Sequence, residues 1–220
     1  MRPAEFVSSI KGLSFENVFN PYADRCAVHD VQDAPSLRSQ ALLQLLQAAS
    51  MIEIDALWIG RDLGHRGGRR TGLALTDDVH VPIHAARWKI SIERATTGSI
   101  MAERTAAVIW TMLVSVPAAV FLWNVFPLHP HEPNDPFTNR SHRQKERMAG
   151  EALLAELITM LRPRRLVAIG NDAAKVADRF AGVSDVVQVR HPSYGGQTEF
   201  IDQIRCLYKL PDRNKQMTLL

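Results

Sequence analysis

Three polar residues stand where short apolar runs end, and their types suit one another. Leu57-Trp58-Ile59-Gly60-Arg61-Asp62 leads an apolar run of strand type into one carboxylate. Phe121-Leu122-Trp123-Asn124 leads a second into an amide, and Val186-Val187-Gln188-Val189-Arg190-His191 leads a third into an imidazole. A carboxylate can orient a water and stabilise positive charge developing on a sugar ring. An amide offers a donor and an acceptor together, enough to read the edge of a pyrimidine. A histidine can donate a hydrogen bond to a base that leaves as an anion. Together these are the roles that hydrolysis of an N-glycosidic bond requires. Each residue also has a plainer reading. Asp62 can cap a turn or pair with Arg61 or Arg66, Asn124 can bond the backbone at a buried strand end, and His191 before Pro192 can be an ordinary loop histidine.

The charge distribution points the same way. A net charge of +3 and a pI of about 9.1 are too mild to identify a partner. Locally, however, residues 61–70 hold Arg61, Arg66, Arg69 and Arg70 against only Asp62, and residues 140–147 hold Arg140, Arg143, Lys145 and Arg147 against only Glu146. Such clusters are the expected footprint of phosphate contacts, although one cluster alone reads equally as a solvated basic surface. His129 and His131 flank Pro130 in a proline-rich stretch but lack a third ligand at metal spacing, so no metal is expected. Trp58, Trp110 and Trp123 fall at core positions, while Trp88, between Arg87 and Lys89, reads as part of a half-buried surface element.

These residues need a scaffold that brings strand ends together. At 220 residues, with 46% apolar and 22% charged content, the chain suits one soluble domain with a substantial core. Strand-length runs at 56–60, 118–123, 166–170 and 186–189 alternate with helical patterns. One helix starts at Asp33-Pro35 with Leu37, Ala41, Leu45 and Ala49 on one face; another runs from Arg143 to Leu161 with Met148, Ala152, Ala155 and Leu161 inward. Asn171-Asp172 caps a short helix to Phe180, and Thr198–Tyr208 is the last. The alternation predicts a three-layer α/β/α fold around a central, mainly parallel four-stranded sheet. Residues 1–50 form an N-terminal helical covering segment of the same domain. Val81-Pro82-Ile83 is a candidate edge strand, residues 127–141 form a long loop, and the ends (1–12 and 211–220) read as loose. The uncharged stretch Thr105–Phe126 is long enough to span a bilayer, but Pro117 and scattered polar residues favour a buried helix (about 100–113), a turn and a strand (118–124). With Cys26 and Cys206 alone, neither a disulfide framework nor an iron–sulfur site is expected, and a cytoplasmic location fits.

The motifs then meet a family. Gly60-Arg61-Asp62 with Thr71-Gly72-Leu73-Ala74-Leu75-Thr76 resembles, without gaps, the water-activating motif of the classical uracil-DNA glycosylases. Leu122-Trp123-Asn124 is similar to their uracil-reading strand end, and His191-Pro192-Ser193 to their third motif. The triple comes in the family's order, and with the strand–helix alternation the resemblance to the uracil-DNA glycosylase superfamily covers roughly residues 55–210. It implies an enzyme of base-excision repair that flips uracil out of DNA and hydrolyses its N-glycosidic bond, with no cofactor. Asp62 would orient the water and His191 would stabilise the leaving base. Gly60, Arg61, Gly64, Leu75 and Asn124 would form the base pocket. Arg66, Arg69, Arg70, Ser141, Arg143, Ser193, Tyr194 and Gly195 would hold the DNA. The expected partner is uracil-containing DNA, single- or double-stranded, bound by a monomer with no membrane attachment.

The chain also departs from the family. Arg61, Leu63 and Gly64 stand where the classical enzymes have Gln, Pro and Tyr. That Tyr bars the thymine methyl, so Gly64 leaves this side of the pocket open. The aromatic that stacks on the base falls at Leu75, and the leucine that fills the emptied stack falls at Gly195, with Tyr194 or an arginine of 66–70 as substitutes. The cysteines of the iron–sulfur branches are missing. The pattern is that of a divergent branch. Rival readings are a glycosylase of the same fold for hypoxanthine, a catalytically silent nucleic-acid-binding protein, and a hydrolase of free nucleosides or nucleotides.

Overall fold

The computed structural model describes residues 1–211. Along the chain lie α1 (Pro3–Lys11), β1 (Val18–Phe19), α2 (Ala34–Ala49), β2 (Ala56–Asp62), α3 (Gly68–Thr71), α4 (Val81–Trp88), α5 (Arg104–Leu113) and β3 (Val120–Phe126). They are followed by β4 (His129–Pro130), α6 (Gln144–Leu161), β5 (Arg165–Ile169), α7 (Asn171–Ala177) with a 3₁₀ turn (Asp178–Phe180), β6 (Asp185–Val189) and α8 (Gln197–Tyr208).

Four strands pair in the order β3-β2-β5-β6, and every pairing in this sheet is parallel. The alternation of side chains along each strand sorts the core into two layers. Leu57 and Ile59 of β2, Phe121 and Trp123 of β3, and Leu166 and Ala168 of β5 face the side covered by α1, α2, α6 and α7. Ala56, Trp58, Val120, Leu122, Val167 and Ile169 face the side covered by α5 and α8. A sheet buried on both faces explains why β2 and β3 read as unbroken apolar runs rather than alternating ones. Helix α6 lies directly on β3: a Cβ at Gly150 would stand 2.1 Å from the Val125 carbonyl oxygen. The expected α/β fold with its parallel four-stranded sheet is thus observed.

The sheet order places the site. From β2 the chain moves outward to β3, then crosses back over β2 to β5 and on to β6. That reversal between β2 and β5 opens a crevice at their carboxyl ends, where open α/β sheets bind ligands.

Several local expectations are corrected. Residues 81–83 begin helix α4 rather than an edge strand, because Pro82 suits a first helical turn and removes a ladder donor. The N-terminal stretch is not loose: α1 buries Phe6, Val7 and Ile10, and Phe6 packs on Trp123 with ring centroids 5.5 Å apart. Helix α6 turns Leu153, Leu154, Leu157 and Ile158 inward with Leu161, leaving Met148 and Ala152 exposed. Trp88 is buried against Phe121. A small antiparallel pair, β1 with β4, ties the N-terminal segment to the loop after β3. No helix among the described residues is long and apolar enough to cross a membrane. The expected loose end at 211–220 lies, beyond Pro211, outside the described residues.

Candidate active site

Asp62 is the last residue of β2 and its side chain is only 6% exposed. Both carboxylate oxygens are held. Arg61 Nε donates to Oδ2 at 2.7 Å, and His142 Nδ1 meets Oδ1. Arg61 also reaches Asp172 in the first turn of α7 at 3.4 Å, so it bridges the β2 and β5 strand ends. The lone pairs left on Asp62 face a cleft of about 600 Å³ whose walls include Arg61, Gly64, Leu75, Asn139, Gly170, Arg190, His191 and Ser193.

His191 follows β6 on the far wall. The Ser193 backbone N–H donates to its Nδ1 at 3.2 Å, and Ser193 Oγ lies 2.7 Å from the same nitrogen. With Nδ1 accepting, the ring proton sits on Nε2. Burial, with Arg61 and then Arg190 adding to it, lowers the His191 pKa and keeps the ring neutral at pH 7. A neutral imidazole presenting one N–H suits stabilisation of an anion more than proton loss. Gly170 turns at φ +88° between β5 and α7, and its missing side chain leaves room for the ring: a Cβ there would stand 3.1 Å from that of His191.

Asn124 lies one layer deeper. It is paired across the sheet with Gly60 and is 1% exposed, yet neither its Oδ1 nor its Nδ2 has a hydrogen-bond partner among the described residues. An unpartnered buried amide costs roughly 1–3 kcal/mol per group and calls for a functional account. Gly60 makes space for it: a Cβ there would stand 2.5 Å from Asn124 Oδ1 and 2.8 Å from Leu75 Cδ2. Leu75, at φ +54° and half-buried, covers the amide from the cleft side, and its carbonyl is held by Trp110 Nε1 at 3.1 Å. Displacement of the Leu75 side chain would open the amide to a base.

The pocket side at Gly64 is not open, contrary to expectation. Glu103, just ahead of α5, occupies it: a Cβ at Gly64 would stand 2.9 Å from its Oε1, and one at Gly67 would stand 2.0 Å from its Oε2.

The residues expected on DNA divide. Arg66, Ser141, Arg143, Tyr194 and Gly195 are exposed, and Ser193 is half-buried in the cleft. Tyr194 is 99% exposed at φ +51°, followed by Gly195 at φ +79°. Arg69 and Arg70 do not belong in this set, being 3% and 4% exposed. The Arg70 guanidinium is bonded to Asp78 Oδ2 at 2.8 and 3.0 Å, and that of Arg69 is sandwiched 4.2 Å from the Phe19 ring and 4.9 Å from the Phe137 ring. Both stabilise the loop after β2 from within. Arg140 is likewise committed, to both oxygens of Glu146 at 2.7 and 2.8 Å.

Two residues of the site, His142 against Asp62 and Glu103 on the cleft wall, carry no functional signal in the sequence. His142 lies inside a cluster whose charges suggest phosphate contacts, flanked by Ser141 and Arg143. Glu103 lies at the edge of a segment whose apolar pattern suggests a buried helix. Nothing in either neighbourhood marks a contact 80 residues distant in sequence, such as that of His142 with Asp62. Among the described residues no cluster of three metal-ligating groups occurs, and His129 is instead buried with Nδ1 2.7 Å from the Leu63 carbonyl. A larger groove, about 890 Å³, lies at the amino ends of β2 and β5, but among the described residues its walls carry no histidine and no acid beyond the exposed Glu53 paired with Arg164.

Comparison with known proteins bears on the fold and the family. No protein of curated function matches the chain. Among solved structures, the wild-type SMUG2 of Pedobacter heparinus superposes with a TM-score of 0.58 at 15% identity, covering 95% of this chain and 97% of its own. That likeness shows a shared fold over nearly the whole length. The family model for the uracil DNA glycosylase superfamily matches residues 52–206, a span that includes β2, β3, β6 and the three polar residues Asp62, Asn124 and His191. The chain belongs to the uracil DNA glycosylase superfamily.

Proposed function

We propose that this chain is a monofunctional uracil-DNA glycosylase of base-excision repair, acting on DNA as a cytoplasmic monomer. The observation that carries the reading is one cleft shared by a pinned carboxylate and a neutral histidine that presents its proton on Nε2, Asp62 and His191. The buried, unpartnered amide of Asn124 behind Leu75 supports it. Uracil would leave the stack at a cost of a few kcal/mol, least when mispaired or single-stranded. Its Watson–Crick edge would satisfy Asn124. As the bond to the sugar lengthens, negative charge gathers on the base, and His191 Nε2–H would meet it at the O2 carbonyl. Asp62, oriented by Arg61 and His142, would direct water to the sugar carbon. Among the described residues no lysine lines the cleft, which favours water over an amine as nucleophile.

Each such electrostatic group is typically worth roughly 3–4 kcal/mol in the transition state. Asp62→Ala should therefore bind a uracil oligonucleotide but cleave it at least about a hundredfold more slowly in single-turnover assays. Near-normal turnover would remove Asp62 from the mechanism. The unsubstituted protein should be incubated with oligonucleotides carrying uracil or hypoxanthine and with deoxyuridine, and assayed for alkali-labile sites and free base. Cleavage of the hypoxanthine strand alone would replace the uracil reading, and cleavage of neither strand would sink both.

A further inference from the structure

The cleft has two walls of different make. One comes from the ends of β5 and β6 and carries Gly170, Asn171, Arg190, His191 and Ser193. The other comes from the loop after β2 and the start of α5 and carries Leu63, Gly64, Gly68 and Glu103. Strand β6 lies two places from β2 in the sheet, so the carboxyl ends of the strands from which the two walls spring stand about 10 Å apart. A pyrimidine held between them with O2 toward His191 turns the opposite edge of its ring, C5–C6, toward Glu103.

Glu103 is held in place rather than draped over the surface. Its backbone N–H donates to the buried Asp77 Oδ2 at 2.6 Å, and it initiates α5. Two glycines, Gly64 and Gly67, leave the space its carboxyl fills. Among the described residues nothing donates a hydrogen bond to that carboxyl, although burial raises its pKa to about 7, with Asp77 adding to the rise and Arg66 opposing it.

We propose that Glu103 is a specificity-determining residue, forming a polar wall that meets the C5 edge of the flipped base and rejects a methyl group there. The assignment rests on the uracil reading above. A hydrogen at C5 leaves the carboxyl its remaining contact with solvent. A methyl at C5 would press against it and strip that solvation without offering a hydrogen bond, which a buried polar group resists. Thymine is thus excluded by desolvation of an acid rather than by the bulk of an aromatic ring.

The test compares excision of uracil and of thymine, each opposite guanine in the same duplex, by the full chain and by Glu103→Ala and Glu103→Gln. Discrimination over one methyl group is typically worth 10- to 200-fold. The uracil-to-thymine ratio of kcat/KM should fall at least about tenfold in Glu103→Ala, and Glu103→Gln, which keeps a polar group of the same shape, should hold the ratio. The measure is a ratio within each variant, so partial loss of folded protein does not alter it. If Glu103→Ala excises uracil with a ratio less than about tenfold below that of the unsubstituted chain, the assignment of Glu103 is overturned while the uracil reading stands. If the unsubstituted chain excises no uracil, the reading itself fails.

Discussion

The loop after β2 and the loop after β6 both carry arginine and glycine, and in the sequence they look alike as DNA-contacting segments. In the structure they are opposites. The β2 loop turns Arg69 and Arg70 inward, where Phe19, Phe137, Asp78 and Thr96 hold them, and Arg38 Nε reaches up from α2 to the Arg70 carbonyl at 2.7 Å. The β6 loop points outward, with Tyr194 almost fully in solvent and in a left-handed conformation that non-glycine residues seldom adopt. A charge cluster thus reports charge, not address. The partners that decide whether an arginine is scaffold or contact come from segments far away in the chain.

The sharpest way to break this contrast is Arg70→Ala. It removes two hydrogen bonds from the buried Asp78 Oδ2 and leaves Arg94, at 3.7 Å, as its remaining cation; removal of one member of a buried pair typically costs about 3–5 kcal/mol. Urea unfolding should show a loss of that size. For the protein that remains folded, the salt dependence of DNA affinity should not change. Arg66→Ala should do the reverse, leaving stability intact and lowering the slope of log K against log salt by roughly 0.9, the value for one phosphate contact. A reduced salt slope in Arg70→Ala would return that arginine to the DNA surface.

A smaller effect is expected at the outward loop. With Arg69 and Arg70 committed to the core, Tyr194 and Arg66 remain to fill the gap a flipped base leaves. An aromatic stacked on a base is worth about 1–3 kcal/mol. Tyr194→Ala should therefore slow uracil excision from duplex DNA by about tenfold while changing excision from single strands much less, since a lone strand has no stack to fill. Equal losses on both substrates would reduce Tyr194 to a general contact.

How far the sequence reveals the molecule follows from the same physics. The sheet was legible because β2, β3 and β5 are buried on both faces and read as continuous apolar runs. Asp62, Asn124 and His191 were legible because each follows a run of strand type, and a parallel sheet brings the carboxyl ends of its strands together, although β3 runs two residues beyond Asn124 and β6 stops two residues before His191. Periodicity misplaced the face of α6, because Gly150 and Glu146 are buried there for reasons of close approach and ion pairing, not hydrophobicity. His142 and Glu103 were illegible because their roles exist only through contacts made across the fold. The gap expected at Gly64 shows the limit most clearly: an absent side chain in one segment can mean that another segment's side chain occupies the space.

Glu103 also offers the mildest test of the contrast between wall and scaffold, through stability rather than rate. In the folded chain its carboxyl titrates at about 7, raised from an ordinary value of 4.5. Between those two pH values the folded chain retains a proton that the unfolded chain has released. Stability is therefore lost as pH rises through this window, and the loss is complete above it. Allowing for the solvent the carboxyl still meets, the loss is about 1 kcal/mol, or roughly 2–4 °C in Tm for a domain of this size. Glu103→Gln has no proton to release and should escape it. The two proteins should differ by a constant amount below pH 4.5, and the variant should gain roughly 2–4 °C on the parent by pH 8. Melting curves that stay parallel from pH 4 to pH 8 would show that Glu103 ionises as freely in the cleft as in water, and the desolvation on which its rejection of a methyl group depends would be absent.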